Sequence, residues 1–165
     1  MRIICLSDPV WLQPPSGYSK IAGKLCELFV KDGHSVAHVP VDLGIRGTSM
    51  LAGHSITWKG VLLLEGGGGN DIMSEGAAIN HYFDFKADFL LTLKDIWNFR
   101  LMRDAPVSWT PVIPIDHSPV SKEVTTRIQL TFQNISITRF GKRELMKAGV
   151  PSTYIPLFVD TNLYK

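Results

Sequence analysis

The sequence of 165 residues has little cysteine and little net charge, and each shortage excludes a class of protein. Its two cysteines, Cys5 and Cys26, have neither a CxxC spacing nor a histidine at zinc-finger distance, which argues against a disulfide-stapled domain and a zinc finger. We expect both to be buried free thiols. The 17 basic and 15 acidic residues leave a net charge of +2, which is too small for a protein that binds the nucleic-acid backbone. No nucleic-acid partner is expected.

Long apolar runs are also missing. No stretch reaches the roughly 18 residues of a transmembrane helix, and residues 3–6 are too short for the apolar region of a signal peptide. Apolar residues make up 45% of the chain and charged residues 19%, so the chain has enough apolar surface to fold. We therefore expect a soluble, cytoplasmic protein of one domain, with peripheral association with a membrane as an open alternative.

Short apolar runs alternate with amphipathic stretches, which is typical of a parallel α/β sheet. The clearest helix begins after Ser16, its predicted N-cap, and ends before Gly33, its predicted left-handed C′ residue. Pro111 and Pro114 predict that only the first half of 107–115 joins the sheet. The remaining predicted strands are 3–6, 34–39, 56–64, 88–93, 134–138 and 152–157, and the remaining predicted helices are 71–83 with Asn70 as cap, 96–102, 118–128 opening at Ser118-Pro119, and 139–148.

Polar side chains follow five of the predicted strands at their carboxyl ends. In an open parallel sheet, ligands bind beyond these ends, near the point where the strand order reverses. The pattern indicates a crevice for a hydroxyl-rich or anionic ligand, although ordinary polar loops are an alternative. The residues are Asp8, Ser16, Glu65, Asn70, Asp71, Lys94, Asp95, Asp116, His117, Thr138 and Arg139.

His117, with Asp116 before it, is the leading single candidate among them. An imidazole can donate or accept a hydrogen bond and can change charge near neutral pH. A lone histidine is more often structural than catalytic, and its place at a strand end, before a predicted helix, improves the odds of a functional role. His38, His54 and His81 show no ligand spacing, so no metal site is expected.

The loop at residues 14–18 meets a helix N-terminus, where free amides and the helix dipole attract anions. It has neither the GxGxxG of a dinucleotide turn nor the GK[ST] of a P-loop. The glycine run at residues 66–69 has neither motif, and it indicates a flexible tip or a close backbone approach. Trp97 and Trp109 are candidates for stacking on a sugar, with burial in the core as the alternative.

Several short motifs occur along the chain in the order in which one group of enzymes has them. Together they resemble the N-terminal half of the family 4, GT-B-type retaining glycosyltransferases, over essentially the whole chain. The motifs are Leu6-Ser-Asp8, Pro15-Ser-Gly-Tyr18, Gly33-His34, Lys86-Ala-Asp88, Thr92-Leu-Lys-Asp-Ile-Trp97, Val112-Ile-Pro-Ile-Asp-His117, Thr138-Arg-Phe-Gly141, Arg143-Glu-Leu145, Ala148-Gly-Val-Pro151, Tyr154-Ile-Pro156 and Val159-Asp-Thr161.

The resemblance implies a Rossmann-like, three-layer α/β/α domain with a mainly parallel sheet at residues 1–157, one half of a GT-B fold. Residues 158–165 would begin a linker to an absent C-terminal domain that grips the donor. The partners would be a nucleotide-sugar, as co-substrate, and a sugar, lipid or other small-molecule acceptor, with no further cofactor. This fragment alone is expected to be inactive.

The resemblance also suggests residue roles. His117 would face the donor sugar and the acceptor, with Asp116 beside it as the second catalytic candidate. Donor-phosphate contacts are expected from Ser16, Gly17, Tyr18 and Arg139, and substrate contacts from Asp95, Trp97, Glu65 and Asn70. Two alternatives stay open: a free-standing carbohydrate- or nucleotide-binding module without catalysis, and a sugar-nucleotide epimerase or oxidoreductase, which the missing GxGxxG disfavours.

Overall fold

An eight-stranded sheet organises the computed structural model, which describes residues 1–11, 14–41 and 56–158. The strand order is β3-β4-β2-β1-β5-β6-β7-β8, and all neighbours are parallel except β3 and β4. Sequence predictions for His54 and for the linker after Phe158 lie outside the described residues. The strands are β1 Arg2–Ser7, β2 Ser35–Pro40, β3 Ile56–Trp58, β4 Val61–Leu63, β5 Phe89–Leu93, β6 Trp109–Ile113, β7 Ile135–Ser136 and β8 Thr153–Tyr154.

Four α-helices and a short 3₁₀ turn connect these strands. They are α1 Gly17–Lys31, α2 Glu75–Asp84, the 3₁₀ turn Ile96–Asn98, α3 Lys122–Ile128 and α4 Arg139–Lys147. The predicted ends of α1 are confirmed, because the Ser16 Oγ accepts from the Ser19 amide at 3.0 Å and Gly33 has a φ of 80°. None of the helices in the described ranges is both long and apolar enough to cross a membrane.

The sheet is mainly parallel and helices pack against both of its faces, so the predicted α/β class is confirmed. An apolar cluster covers each face of the sheet. One cluster joins α1 to the sheet through Ala22 and Cys26. The other joins α2, α3 and α4 through residues such as Ala78, Ile128 and Leu145. Successive residues of a strand point to opposite faces, which explains why the inner strands are apolar throughout rather than alternating. Cys5 and Cys26 are both free and buried, as predicted.

The predicted single strand at 56–64 is wrong, because the chain reverses inside it. Lys59 and Gly60 have φ values of 50° and 82°, and this pair of left-handed residues forms the tight turn between β3 and β4. The sequence shows a strand on each side of the turn, and only Gly60 signals the break.

The predicted starts of two helices are also wrong. Helix α2 begins at Glu75 rather than near residue 71, and its N-cap is Ser74 instead of Asn70. Helix α3 begins at Lys122, where the Ser121 Oγ accepts from the Val124 amide at 3.3 Å, and the Ser118–Pro119 peptide bond is cis. The Ser-Pro pair therefore belongs to the loop before the helix.

Pro111 lies within β6, so the expectation that only the first half of 107–115 is paired is wrong. The Trp109 carbonyl accepts from the Phe132 amide at 2.9 Å, on the β7 side of the strand. Backbone groups of alternate residues in a strand face the same neighbouring strand, so the backbone nitrogen of Pro111 also faces the β7 side. The β6–β7 pairing begins only at Val112. The missing N–H of Pro111 therefore leaves no ladder bond unmade.

The glycine run after β4 is a close backbone approach. A β-carbon on Gly66 would lie 2.5 Å from the Pro40 carbonyl oxygen, and one on Gly67 would lie 2.3 Å from an Asp71 carboxylate oxygen. The Gly67 amide donates to the Ser74 Oγ at 2.9 Å, and the Ser74 hydroxyl donates to the Pro40 carbonyl at 2.6 Å. The loop is therefore tied to the end of β2, and packing requires glycine at two of its positions.

We expect Gly66→Ala and Gly67→Ala to destabilise the fold by about 1–3 kcal/mol each, because the added methyl group overlaps backbone or carboxylate oxygen. Gly68→Ala is the matched control, since a β-carbon there meets nothing within 4 Å. The control should change stability by less than about 1 kcal/mol. Urea unfolding measures all three variants, and equal losses in the three would contradict the packing assignment.

Candidate functional site

The strand order reverses between β1 and β5. The strands that follow β1, beginning with β2, lie on one side of it, whereas β5 lies on its other side and is followed outward by β6 and β7. The carboxyl ends of β1 and β5 are therefore the switch point at which ligands bind in sheets of this kind. Ser7 is paired with Leu93, so Asp8 and Lys94 are the first residues beyond the two paired strands.

Five polar residues form a connected group at this switch point, and we call them the Asp8 cluster: Asp8, Ser16, Tyr18, Lys94 and Asp95. The Lys94 ammonium donates to one Asp8 carboxylate oxygen at 2.6 Å, and the Ser16 hydroxyl donates to the other at 2.6 Å. The Tyr18 hydroxyl donates to the Asp95 carboxylate at 2.7 Å. The Lys94 ammonium also lies 5.0 Å from the centre of the Tyr18 ring, which joins the two halves.

The polar side-chain atoms of the Asp8 cluster are largely used within it. The Ser16 Oγ donates to Asp8 and also caps α1, and the Lys94 charge is paired. Burial, the hydrogen bond to Asp95 and nearby carboxylates raise the pKa of Tyr18 far above its ordinary value, so its hydroxyl stays a neutral donor. The cluster therefore acts as a scaffold that fixes the first loop, rather than as a set of reactive groups.

The cluster leaves the backbone at Gly17 open. Gly17 is the first residue of α1, between Ser16 and Tyr18, and a β-carbon there would meet nothing within 4 Å. No acidic residue lies in the first turn of this 15-residue helix. The positive end of the helix dipole therefore has no acidic neighbour on its own first turn, and Gly17 itself is exposed.

His117 and Asp116 form an exposed pair beyond β6. The His117 Nδ1 lies 2.8 Å from an Asp116 carboxylate oxygen, and this hydrogen bond lowers the pKa of Asp116 below its ordinary value. An ionised carboxylate only accepts, so Nδ1 must donate, and a neutral His117 ring then presents Nε2 as an acceptor. Asp116 lies three residues beyond the end of β6, the strand next to β5, so the pair is at the same carboxyl edge of the sheet as the Asp8 cluster.

A buried carboxylate holds the loop that carries His117. The Ser118 hydroxyl donates to Glu144 of α4 at 2.6 Å, and the Lys147 ammonium donates to the other oxygen of Glu144 at 2.6 Å. These contacts lower the pKa of Glu144, with the Lys147 hydrogen bond as the largest cause. The residue after His117 is thereby fastened to a helix.

The structure brings together only some of the residues predicted from the sequence. Ser16, Gly17, Tyr18 and Asp95 meet at the switch point, and Trp97 follows in the 3₁₀ turn with 43% of its surface exposed. Trp109, by contrast, is buried, and its Nε1 donates to the Thr92 hydroxyl at 2.9 Å, so it belongs to the core.

The other predicted residues lie apart from the cluster. The Arg139 guanidinium lies 5.9 Å from the centre of the Tyr154 ring of β8, on the far side of β7 from the switch point. Glu65 and Asn70 are exposed beyond β4, two strands from β1, and no hydrogen bond within the described residues joins either to the Asp8 cluster. In the described ranges, no group of three or more His, Cys, Asp or Glu is placed to hold a metal ion.

Asp8 and Lys94 hold the site together, although the sequence favoured neither as a binding or catalytic residue. The available signal was positional, because each is the first polar residue after a buried strand. Asp8 meets Lys94 because β1 and β5 are neighbours in the sheet. This strand order cannot be read from either segment of sequence alone.

His38 of β2 is buried and contacts Ser7, the residue before Asp8. Its Nε2 lies 3.0 Å from the Ser7 hydroxyl, and its ring meets that of Trp11 edge to face at 5.8 Å between centroids. Burial lowers the pKa of His38 to about 3, so the folded protein holds it neutral. Its role is structural at neutral pH.

Asp8→Asn should lower the free energy of unfolding by about 2–3 kcal/mol, because Lys94, with 15% of its side chain exposed, loses its counter-charge. Adding Lys94→Met should recover part of this loss, with a coupling above about 1 kcal/mol. Glu27→Gln is the control: it breaks the exposed pair with Lys59 and should cost less than about 1 kcal/mol. Strictly additive effects of the Asp8 and Lys94 changes would refute the pairing.

Acid should destabilise the protein through His38. The unfolded chain binds a proton near the ordinary pKa of about 6.5, whereas the folded protein resists it down to about 3. Stability should therefore fall as the pH drops below about 6.5, by at most about 1.4 kcal/mol per pH unit from this residue. Unfolding curves of His38→Leu across this range should show a smaller slope than the wild type, and an unchanged slope would rule the assignment out.

Comparison with known proteins gives no assignment for this arrangement. A scan against protein-family models finds no match, and a search of curated proteins finds none either.

Proposed function

We propose that this chain is the N-terminal, acceptor-side half of a GT-B-type retaining glycosyltransferase, with a Rossmann-like α/β/α architecture. Together with a second domain it would move a sugar from a nucleotide-sugar to an acceptor. One observation carries the proposal: the Asp8 cluster holds the first loop so that the open backbone at Gly17 and the His117–Asp116 pair share the carboxyl edge of the sheet. The ordered motifs of the sequence support the same family.

The N-terminus of α1 suits the leaving group of such a reaction. Sugar transfer from a nucleotide-sugar builds negative charge on the departing diphosphate. Fixed amides and a helix dipole stabilise developing charge without having to reorganise. In this proposal the amide region at Gly17 takes that part, while Ser16 and Tyr18 position the loop through Asp8 and Asp95.

His117 suits the recognition of a sugar hydroxyl. With Nδ1 donating to Asp116, a neutral ring has its acceptor nitrogen directed away from that carboxylate. This Nε2 would accept a hydrogen bond from a hydroxyl of the donor sugar or the acceptor. Asp116 would then be a positioning residue that fixes the tautomer, and the Ser118–Glu144 bond would keep the loop in place.

The alternatives predict different chemistry at the same edge. A dinucleotide-dependent oxidoreductase or epimerase needs a tight glycine turn between the first strand and helix. Here β1 ends at Ser7 and α1 begins only at Gly17, so the connection is too long for that turn. A free-standing binding module would bind a sugar or a nucleotide at this edge without turnover.

The test is sugar transfer by the product of the complete reading frame, assayed with a panel of nucleoside-diphosphate sugars and sugar or lipid acceptors. We expect release of the nucleoside diphosphate with retention at the anomeric carbon. His117→Ala should lower kcat by about a hundredfold, the usual effect of losing one polar contact that stabilises the transition state. His34→Ala is the matched control, since His34 packs beside Phe29 at the opposite edge of the sheet, and it should leave kcat unchanged.

Three results would count against the proposal or its site. Sugar transfer at full rate by the 165-residue chain alone would show that no second domain is needed. Unchanged turnover in His117→Ala would remove this residue from the site. Binding of a sugar nucleotide without any turnover would favour the binding module instead.

A further inference from the structure

A polar cleft of about 450 Å³ lies between α3 and the segment that follows the 3₁₀ turn. It is separate from the Asp8 cluster and shares no residue with it. We call it the basic cleft. Its lining residues are Arg100, Arg103, Lys122, Glu123, Thr126 and Arg127.

The basic cleft has an excess of positive charge. Four of its six lining side chains are cationic and one is a carboxylate, although the whole chain has a net charge of only +2. Arg103 pairs with Asp104, and Arg127 pairs with Glu123. Within the described ranges, neither Arg100 nor Lys122 has an acidic partner. The charges of Arg100 and Lys122 are therefore not neutralised by a salt bridge within the described residues, and both line the basic cleft.

A buried carboxylate fixes one wall of the basic cleft. Glu75, with 6% of its surface exposed, accepts hydrogen bonds from the amides of Arg100, Leu101 and Met102 at 2.8–3.1 Å. Three successive amides on one carboxylate hold the backbone at this point in a single conformation. The side chain of Arg100 therefore starts from a rigid base.

Arg127 of α3, which forms the other wall of the basic cleft, is hydrogen-bonded to the wall that Glu75 holds and has one donor without an acceptor in the described part of the chain. Its Nη1 donates to the Phe99 carbonyl, just before the segment that Glu75 holds, and its Nη2 donates to Glu123 at 2.7 Å. Its Nε is buried and has no hydrogen-bond partner in the described structure. Buried donors are rarely left without an acceptor, yet among the described residues Arg127 keeps one unmet donor while it joins α3 to the segment that begins at Phe99.

We propose that the basic cleft binds a phosphoryl group of a small ligand. A phosphate offers several acceptor oxygens and a double negative charge, which match the guanidinium and ammonium donors of the residues that line the cleft. A long nucleic acid would need an extended basic surface, whereas this charge is confined to one cleft. The phosphoryl group belongs to a soluble phosphorylated compound or to a lipid headgroup. The proposal does not depend on sugar transfer at the other site.

The test measures the binding of inorganic pyrophosphate to the whole chain by isothermal titration calorimetry. The variant is Arg100→Gln with Lys122→Gln, two exposed side chains whose loss leaves the ties of Glu75 and Arg127 intact. Each substitution removes a charge-assisted contact to the ligand, so we expect the affinity of the double variant to fall by about a hundredfold. Unfolding curves establish that the variant is folded.

The matched control is Lys142→Gln with Arg143→Gln, two exposed cations on α4, which removes the same charge elsewhere. It should change affinity by less than twofold. Equal losses in both double variants, or no binding by the wild type, would overturn the proposal unless vesicles bind as described next.

Sedimentation with phosphatidylcholine vesicles, with and without phosphatidic acid, separates the two sources of the phosphoryl group. Binding only to vesicles that contain phosphatidic acid, lost in the Arg100/Lys122 variant and kept in the control, supports a lipid headgroup. Binding of pyrophosphate alone supports a soluble ligand. If neither probe binds in a way that depends on Arg100 and Lys122, the proposal fails.

Discussion

The ion pair between Lys94 and Asp8 is the contact on which the carboxyl edge of this sheet depends. It joins the first residues beyond β1 and β5, the two strands between which the chain reverses direction across the sheet. With 15% and 4% of their side chains exposed, both charges are largely removed from water. Burying either charge without its partner would cost several kcal/mol, so the ion pair stabilises the contact between the two strand ends. The Ser16 hydroxyl completes the coordination of Asp8 and carries the constraint to the cap of α1.

This constraint separates the residues that build the site from those that are available for chemistry. The charged and hydroxyl groups nearest the switch point satisfy one another, which makes them scaffold. What remains accessible is backbone at Gly17 and an imidazole at His117, supported by Asp116 and, through Ser118, by Glu144. Such a division suits a site that binds the charge of a ligand with fixed dipoles rather than with mobile side chains. The basic cleft follows a different design, in which a buried carboxylate and a buried guanidinium hold the walls and exposed cations face the space between them.

Much of the fold could be predicted from the sequence, since the period of the apolar residues and the two ends of α1 are local signals. The prediction failed where a local signal had two meanings. Gly60 marks a turn inside what looks like one strand, and Ser118-Pro119 has the composition of a helix start but lies in a loop. The site was predicted less completely, because the partners of Asp8 are set by strand order, which no local pattern encodes. For the same reason Glu65 and Arg139, which also follow strands, were grouped with residues that the sheet places elsewhere.

The central claim is that Gly17 and His117 face one ligand that carries a diphosphate. Chemical-shift mapping of the isotopically labelled chain, titrated with uridine, guanosine and adenosine diphosphates, tests it most directly. At least one of these diphosphates should produce saturable shifts in the amide signals of Gly17 and Tyr18 and in the imidazole signals of His117, while the signals of His34 at the opposite edge stay in place. Shifts confined to other surfaces, or shifts at Gly17 without any at His117, would contradict a shared site.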